Sequence, residues 1–295
     1  MSEAVVPAPP AWATREIDPS PASVPPLRRL AGRLLLALGD RIWGRPHPLA
    51  GRDLETLRRR EAAYFREAWE AYASPFIPLA GRKVMDLGCG RGAKTAELGR
   101  LGAGFVVGVD LQFEMLRTTK ASLERAGVRG AVVQADASRL PFRDGCFPAV
   151  LSVDNVEHLH DLPGALSEVS RVLDPAGRAY VSFAPYRSAQ GSHLDNYSAL
   201  PWCHLLVPHP LLLDRIRERT GALAASAPPA EAAELRHVAA WERFHFTHCL
   251  PHVTLRGFGR TAAGAGLGIL RLVRAGSWRL RPMLYLPGLA DLLIR

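Results

Sequence analysis

The sequence predicts an α/β fold: a Rossmann-like, doubly wound, mostly parallel sheet, preceded by helices and interrupted by one long insertion. Three observations lead there. Short apolar runs alternate with helical patterns between residues 81 and 185, with the apolar period switching between two and 3.6. The first apolar run, Lys83-Val84-Met85, ends on an acid, Asp86, and turns through Gly88, Gly90 and Gly92 directly into a helical pattern, Ala93–Leu98. The alternation then stops between Phe183 and about Phe244 and resumes afterwards.

Taken in order, residues 1–26 are rich in Pro, Ala and Ser and read as a disordered tail. Residues 27–80 hold two helical patterns. Leu27–Trp43 is basic, apolar and amphipathic, and Gly51–Ala73 carries charge on one face with Leu54, Leu57, Tyr64, Phe65, Trp69 and Tyr72 elsewhere. Residues 81–185 are the core. Strand one is followed by the glycine turn and its helix. Phe105–Asp110 is a second strand ending in an acid, and Gln112–Ala126 the next helix. Val132–Gln134 is a third strand, leading into Ala135-Asp136-Ala137. Ala149–Val153 is a fourth, entering Asp154-Asn155-Val156-Glu157-His158. Residues 186–245 form the insertion, with two helical pieces separated near Pro228-Pro229. Residues 246–295 complete the core through a helix over Thr254–Ala263 and a strand over Leu267–Val273, ending in a basic amphipathic tail. Pro282 and Pro287 oppose a last strand over Arg281–Leu286.

The glycine turn separates two ligand classes. Dinucleotide sites favour G-x-G-x-x-G, with a pyrophosphate at the helix N-terminus. Here the spacing is G-x-G-x-G, and Asp86 stands two residues before the first glycine. A carboxylate repels a pyrophosphate and attracts an ammonium or sulfonium group. S-adenosylmethionine carries both.

Asp86-Leu87-Gly88-Cys89-Gly90-Arg91-Gly92 resembles motif I of the class I S-adenosylmethionine-dependent methyltransferases, of the bacterial type 11-like group. The acid-ended strand at Asp110, the Asp136-Ala137 pair, the entry at Asp154 and the helix-turn over Ala165–Gly177 follow in the family's order. The likeness covers roughly residues 80–185 well and 245–275 loosely. It implies that Asp86 with Gly88, Cys89, Gly90 and Gly92 holds the methionine end of the methyl donor. It further implies that Asp110 binds the ribose hydroxyls, that Asp136 and the Ala137 N–H meet the adenine edge, that Leu111 and Met115 flank the ring, and that Asp154 is a further cofactor-binding residue. An acid ending a strand also suits a helix N-cap, so Asp110 has a second reading as the cap of the helix that follows. The insertion, with its Pro185-Tyr186…Gly191-Ser192-His193-Leu194 segment, and the N-terminal helices would cap the acceptor site. His193 and His158 are the candidate catalytic bases, although proximity and in-line geometry alone serve many methyl transfers.

Composition narrows the partners. At 295 residues and 48% hydrophobic content the chain can bury a sizeable core. Cys89, Cys146, Cys203 and Cys249 form no C-x-x-C, which points to a reducing compartment. The sequence shows no secretory leader pattern and no apolar run long enough to span a bilayer, so the expected location is cytoplasmic, either free or peripheral on the inner face of the membrane. His245, His248, Cys249 and His252 sit close together, but Pro251 interrupts them and no second ligand cluster has zinc spacing, so no metal is assigned. The net charge of +9 admits nucleic acid. However, Asp154-Asn155-Val156-Glu157 is unlike the Asn/Asp-Pro-Pro-Tyr type that methylates planar amino groups, and nucleic acid is not favoured. The arginines instead stand beside apolar residues at both ends of the chain, where the segments either pack on the core or lie on an anionic membrane surface. The expected acceptor is a small molecule or lipid-like compound. The rivals are an RNA methyltransferase, an NAD(P)H oxidoreductase and a non-catalytic cofactor-binding or membrane-interaction protein. The oligomeric state cannot be read from the sequence.

Overall fold

The computed structural model describes residues 20–43, 54–188, 191, 194, 197–244, 246–247 and 253–272. The chain divides into two units: a sheet unit, residues 52–184 with 253–273, and a helical unit, residues 1–51, 185–252 and 274–295. The stretch 27–80 is shared between them.

The sheet unit has five parallel strands among the described residues: β1 (Lys83–Leu87), β2 (Phe105–Asp110), β3 (Gly130–Gln134), β4 (Phe147–Val153) and β5 (Leu173–Ser182). Their order is β3-β2-β1-β4-β5, so the winding reverses between β1 and β4. Both faces are covered, which is why the strands read as near-continuous apolar runs. Val84, Val106, Ala149 and Leu151 face one side with Phe65, Trp69 and Leu98, whereas Met85, Leu87, Val107, Val109 and Val150 face the other with Val169 and Val172. The first side is closed by α2 (Leu54–Tyr72) and α3 (Ala93–Arg100). Arg66 of α2 donates to the buried carboxylate of Glu97 of α3 at 2.6 Å. The second side is closed by α5 (Leu162–Val172), capped by Asp161, whose carboxylate accepts the Gly164 N–H at 2.9 Å. Between β2 and β3 lies α4 (Phe113–Ala126), ended by the left-handed Gly127.

The turn that the resemblance places before strand five, at the end of Ala165–Gly177, lies inside β5 as an excursion: the ladder to β4 jumps from Leu173 to Arg178. Asp174 closes it by accepting the Ala176 N–H at 2.8 Å. A helix stands where the sequence places one after the insertion, over Leu255–Gly264. The strand expected over Leu267–Val273 does not form across 267–272, the part within the described residues. Leu267 turns inward, but Ile269, Leu270 and Leu272 are exposed, so the run has no single apolar face and no ladder partner among the described residues. Arg281–Leu286 lies outside the described residues.

The helical unit joins α1 (Pro26–Trp43), α6 (Cys203–Leu206), α7 (His209–Ser226) and α8 (Pro229–Phe244), with α9 denoting Leu255–Gly264 of the sheet unit. Its core is Leu36, Leu200, Val207, Leu211, Leu212, Leu213, Ile216 and Phe246. α1 packs closely through small residues, since a Cβ on Gly39 would stand 2.7 Å from Leu200 Cβ. Asp40 of α1 accepts hydrogen bonds from Arg215 and Arg219 of α7. A cavity of about 400 Å³ opens where α1 meets α7, lined among others by Arg33, Asp40, Arg41, Asp214 and Glu218. Among the described residues no helix is long and apolar enough to cross a membrane.

Candidate functional site

Parallel strands all end at one edge of the sheet, and ligands bind outside that edge where the winding reverses. Here the turn after β1 and the loop after β4 flank that point. The turn holds three left-handed glycines, Gly88 (φ +77°), Gly90 (φ +52°) and Gly92 (φ +80°). A Cβ on Gly88 would meet the Asn155 side chain at 2.1 Å, and one on Gly92 would meet the Thr119 backbone at 2.6 Å. Gly90 has nothing within 4 Å of the same position. Two glycines are therefore closed in by protein, and the middle one offers bare backbone to a ligand.

The turn's N–H groups are largely committed. Those of Gly88 and Cys89 donate to Val109 O at 2.8 and 3.0 Å, and that of Gly92 to Cys89 O at 3.0 Å. The Gly90 N–H donates to Asp110 Oδ2 at 2.9 Å. A pyrophosphate is held by free N–H groups at such a turn, so this geometry opposes the dinucleotide rival.

Asp110 is partly buried, and its second oxygen, Oδ1, accepts the Gln112 N–H at 2.9 Å. It is not the N-cap of α4, which starts after Gln112. Burial pushes its carboxyl up, and the backbone bonds from Gln112 and Gly90 pull it back. A carboxylate has about four acceptor positions, so each oxygen keeps capacity for a hydroxyl. Beside it Leu111 is 58% exposed, and the Gln134 side chain donates to Leu111 O at 3.0 Å. Met115 is half-buried on the first turn of α4. At the end of β3 the Ala135 N–H donates to Asp110 O at 3.2 Å. That bond sets Asp136 and Ala137 next to the end of β2. Asp136 is exposed, and the Ser138 N–H and hydroxyl, both at 2.8 Å from Oδ1, hold its carboxyl below the usual range.

Asp86 and Cys89 turn their side chains inward. Asp86 is 2% exposed and accepts the Thr95 hydroxyl at 2.6 Å. Burial raises its carboxyl, while Thr95 and the Lys94 charge lower it. It pins the first turn of α3 to β1. Burial, followed by the charge of Asp86, raises the Cys89 thiol far above its ordinary value, so Cys89 serves the turn through its backbone and is no nucleophile.

After β4, Asp154 adopts a left-handed conformation (φ +53°) and pairs with Lys94 Nζ at 2.9 Å. Lys94 also donates to Val153 O at 3.0 Å, so it ties α3 to β4 across the reversal. Burial lifts the nearby Tyr180 phenol to about 12, with Tyr64 and Asp154 adding to it. His158 closes a single 3-10 turn, Val156–His158, its N–H donating to Asn155 O at 2.8 Å. His193 and the His245/His248/Cys249/His252 group lie outside the described residues. The structure thus gathers the other expected residues along one sheet edge. Lys94, Thr95, Thr119, Gln134 and Asn155 were not among the expected site residues. Lys94 left a signal: a lysine in the first turn of a helix opposes the helix dipole and needs a carboxylate nearby.

Residues 85–181 match a family described as Methyltransferase domain. The chain carries a class I S-adenosylmethionine-dependent methyltransferase domain. It is 40% identical over 105 residues to the ubiquinone/menaquinone biosynthesis C-methyltransferase UbiE of Pasteurella multocida, covering 34% of this chain and 39% of that protein. It is 29% identical over 142 residues to Methyltransferase GfsG of Streptomyces halstedii, covering 41% and 51%. Among solved structures, the PH0226 protein of Pyrococcus horikoshii is similar at 29% identity and a TM-score of 0.39, over 46% of this chain and 57% of that one. The methyltransferase domain therefore spans about half or less of the curated relatives it matches. The residues present fit the domain's methyl donor: an open glycine backbone, a carboxylate with acceptor capacity to spare, and an exposed apolar side chain lie side by side.

Proposed function

We propose that this protein transfers a methyl group from S-adenosylmethionine to a small, lipid-like acceptor. The observation that carries the reading is the bond from the Gly90 N–H to Asp110, which locks the glycine turn beside the acid-ended strand while leaving Gly90 open. When bound, the donor supplies an electrophilic methyl group. Asp110 would accept from the ribose hydroxyls with its remaining lone pairs, and Leu111 and Met115 would flank the adenine. Asp136 and the Ala137 N–H would meet the adenine edge. The bare Gly90 backbone would lie against the methionine portion, within the field of Asp86. The Lys94–Asp154 pair fixes the loop after β4, on which His158 stands to take a proton where the acceptor nucleophile is a hydroxyl. The lipid-like class is supported by the quinone pathway in the UbiE relative's name.

The test is a transfer assay with donor labelled on its methyl group, offered quinol-type phenols, water-soluble phenols and bulk RNA. Label in the solvent-extractable quinol product and none in RNA is the expected result; label in RNA overturns the acceptor class. His158→Ala should lower kcat while sparing donor affinity, and an equal loss of donor affinity would make His158 a structural residue.

A further inference from the structure

We infer that α1 docks this protein on an anionic lipid surface. Helix α1 is apolar on two opposite sides. One side packs: Leu36 is 4% exposed, Gly39 lies against Leu200, and Asp40 meets Arg215 and Arg219. The other side carries Leu27, Leu30, Leu34, Leu38 and Ile42, exposed at 82, 57, 61, 49 and 57%. At 100° per residue these five fall within about 120° of one another, centred opposite Leu36, and the stripe runs about 22 Å along the axis. Five large aliphatic side chains in one row are not the scattered exposure normal for a protein surface.

Charge selects the occupant. Arg28, Arg33 and Arg41 are exposed on the same helix; at 100° per residue Arg28 and Arg33 stand on either side of the stripe and Arg41 within it. Asp40 is the one acid in this helix's sequence, and it is turned inward to the arginines of α7. Arg33 and Arg41 also line the cavity where α1 meets α7, together with Asp40, Asp214 and Glu218, so Arg28 is the arginine of the three that does not line it. The outward side of α1 therefore offers aliphatic side chains edged by cations, the pattern of a helix lying in the plane of an anionic interface. Its arginines extend to phosphate depth while the leucines enter the acyl boundary. A second copy of the same stripe would bring the arginines of both copies together, which argues against self-association at this face.

The experiment is co-sedimentation of the full chain with phosphatidylcholine vesicles, with and without a quarter of phosphatidylglycerol. The chain should sediment with the anionic vesicles, weakly with the neutral ones, and less as salt rises. Replacing Leu34→Glu with Leu38→Glu should weaken binding by roughly a hundredfold, given about tenfold or more per buried leucine. Replacing Arg28→Gln, Arg33→Gln and Arg41→Gln should weaken binding about fivefold per arginine on anionic vesicles only. Both sets sit on exposed positions, Arg33 and Arg41 at the cavity between α1 and α7, and circular dichroism checks that each variant is folded. Failure of the full chain to sediment with anionic vesicles overturns the inference. So does unchanged sedimentation of the leucine variant. A dimer in light scattering that the leucine variant splits also overturns it, because the stripe would then be a protein interface. The donor plays no part in this assay, so its outcome is separate from that of the transfer assay.

Discussion

The sheet unit and the helical unit solve the same burial problem differently. In the sheet unit a period of two places each strand residue on one of two covered faces, and the ladder fixes the register residue by residue. In the helical unit no ladder operates, and α1 is positioned by side-chain packing at Leu36 and Gly39 and by the charged contact at Asp40. Backbone pairing therefore holds the ligand-facing turn to close tolerances, whereas side-chain packing leaves one apolar side of a helix for another use.

The two units should differ most at the glycine turn. Gly88→Ala forces an alanine into the left-handed region, at about 1–2 kcal/mol, and drives its Cβ into Asn155, adding about 1–3 kcal/mol of overpacking. Urea unfolding should show a loss of about 3 kcal/mol. Gly90→Ala carries only the first of these terms, yet it should remove most donor affinity, because its Cβ fills the space left for the ligand. Equal stability losses in the two variants would contradict the division between closed and open glycines.

In the helical unit the counterpart is Asp40→Ala, which leaves Arg215 and Arg219, 18 and 20% exposed, without their shared carboxylate. A loss of about 2 kcal/mol is expected, below the range for deeply buried pairs because these arginines keep some water. Donor affinity measured by calorimetry should be unchanged. A parallel loss of affinity would show that the two units do not act separately.

Asp110→Ala should weaken donor binding by about 1–3 kcal/mol if its carboxylate makes charge-assisted bonds to ribose. Unchanged affinity would remove Asp110 from the site. The smallest effect is expected at Asp86. Its folded carboxyl is raised by burial, so the folded state binds the proton more tightly than the unfolded chain does. The stabilisation linked to this proton is complete below the ordinary value of 3.8 and is lost as pH rises through the folded value. Asp86→Asn should therefore be more stable than the parent at neutral pH, with the gap closing on acidification, while donor affinity falls. A gap that widens at low pH would reverse the sign of this account.

The sheet unit was legible because its signals are local. Each strand ends at a punctuated turn, and the acids at Asp86, Asp110, Asp136 and Asp154 all reach the same sheet edge. Less legible was what each acid does there. That Asp86 faces Thr95, or that Asp110 ties down Gly90, depends on which way a side chain turns, and no periodicity records this. The Lys94–Asp154 pair joins residues sixty positions apart, too far for a local pattern. Leu267–Val273 has the pattern of a strand, but strand formation needs a neighbour as well as a pattern. In the helical unit the amphipathic pattern of α1 was readable, whereas the choice of its packed side was made by Gly39 and Asp40.

We propose that the glycine turn and Asp110 together form a site for S-adenosylmethionine. The most direct test is calorimetric titration of the purified protein, freed of any co-purified ligand, with S-adenosylmethionine, S-adenosylhomocysteine and NADH. Micromolar binding of the first two and none of NADH is the predicted result. A folded protein that binds neither of the first two, or that binds NADH instead, would contradict the account.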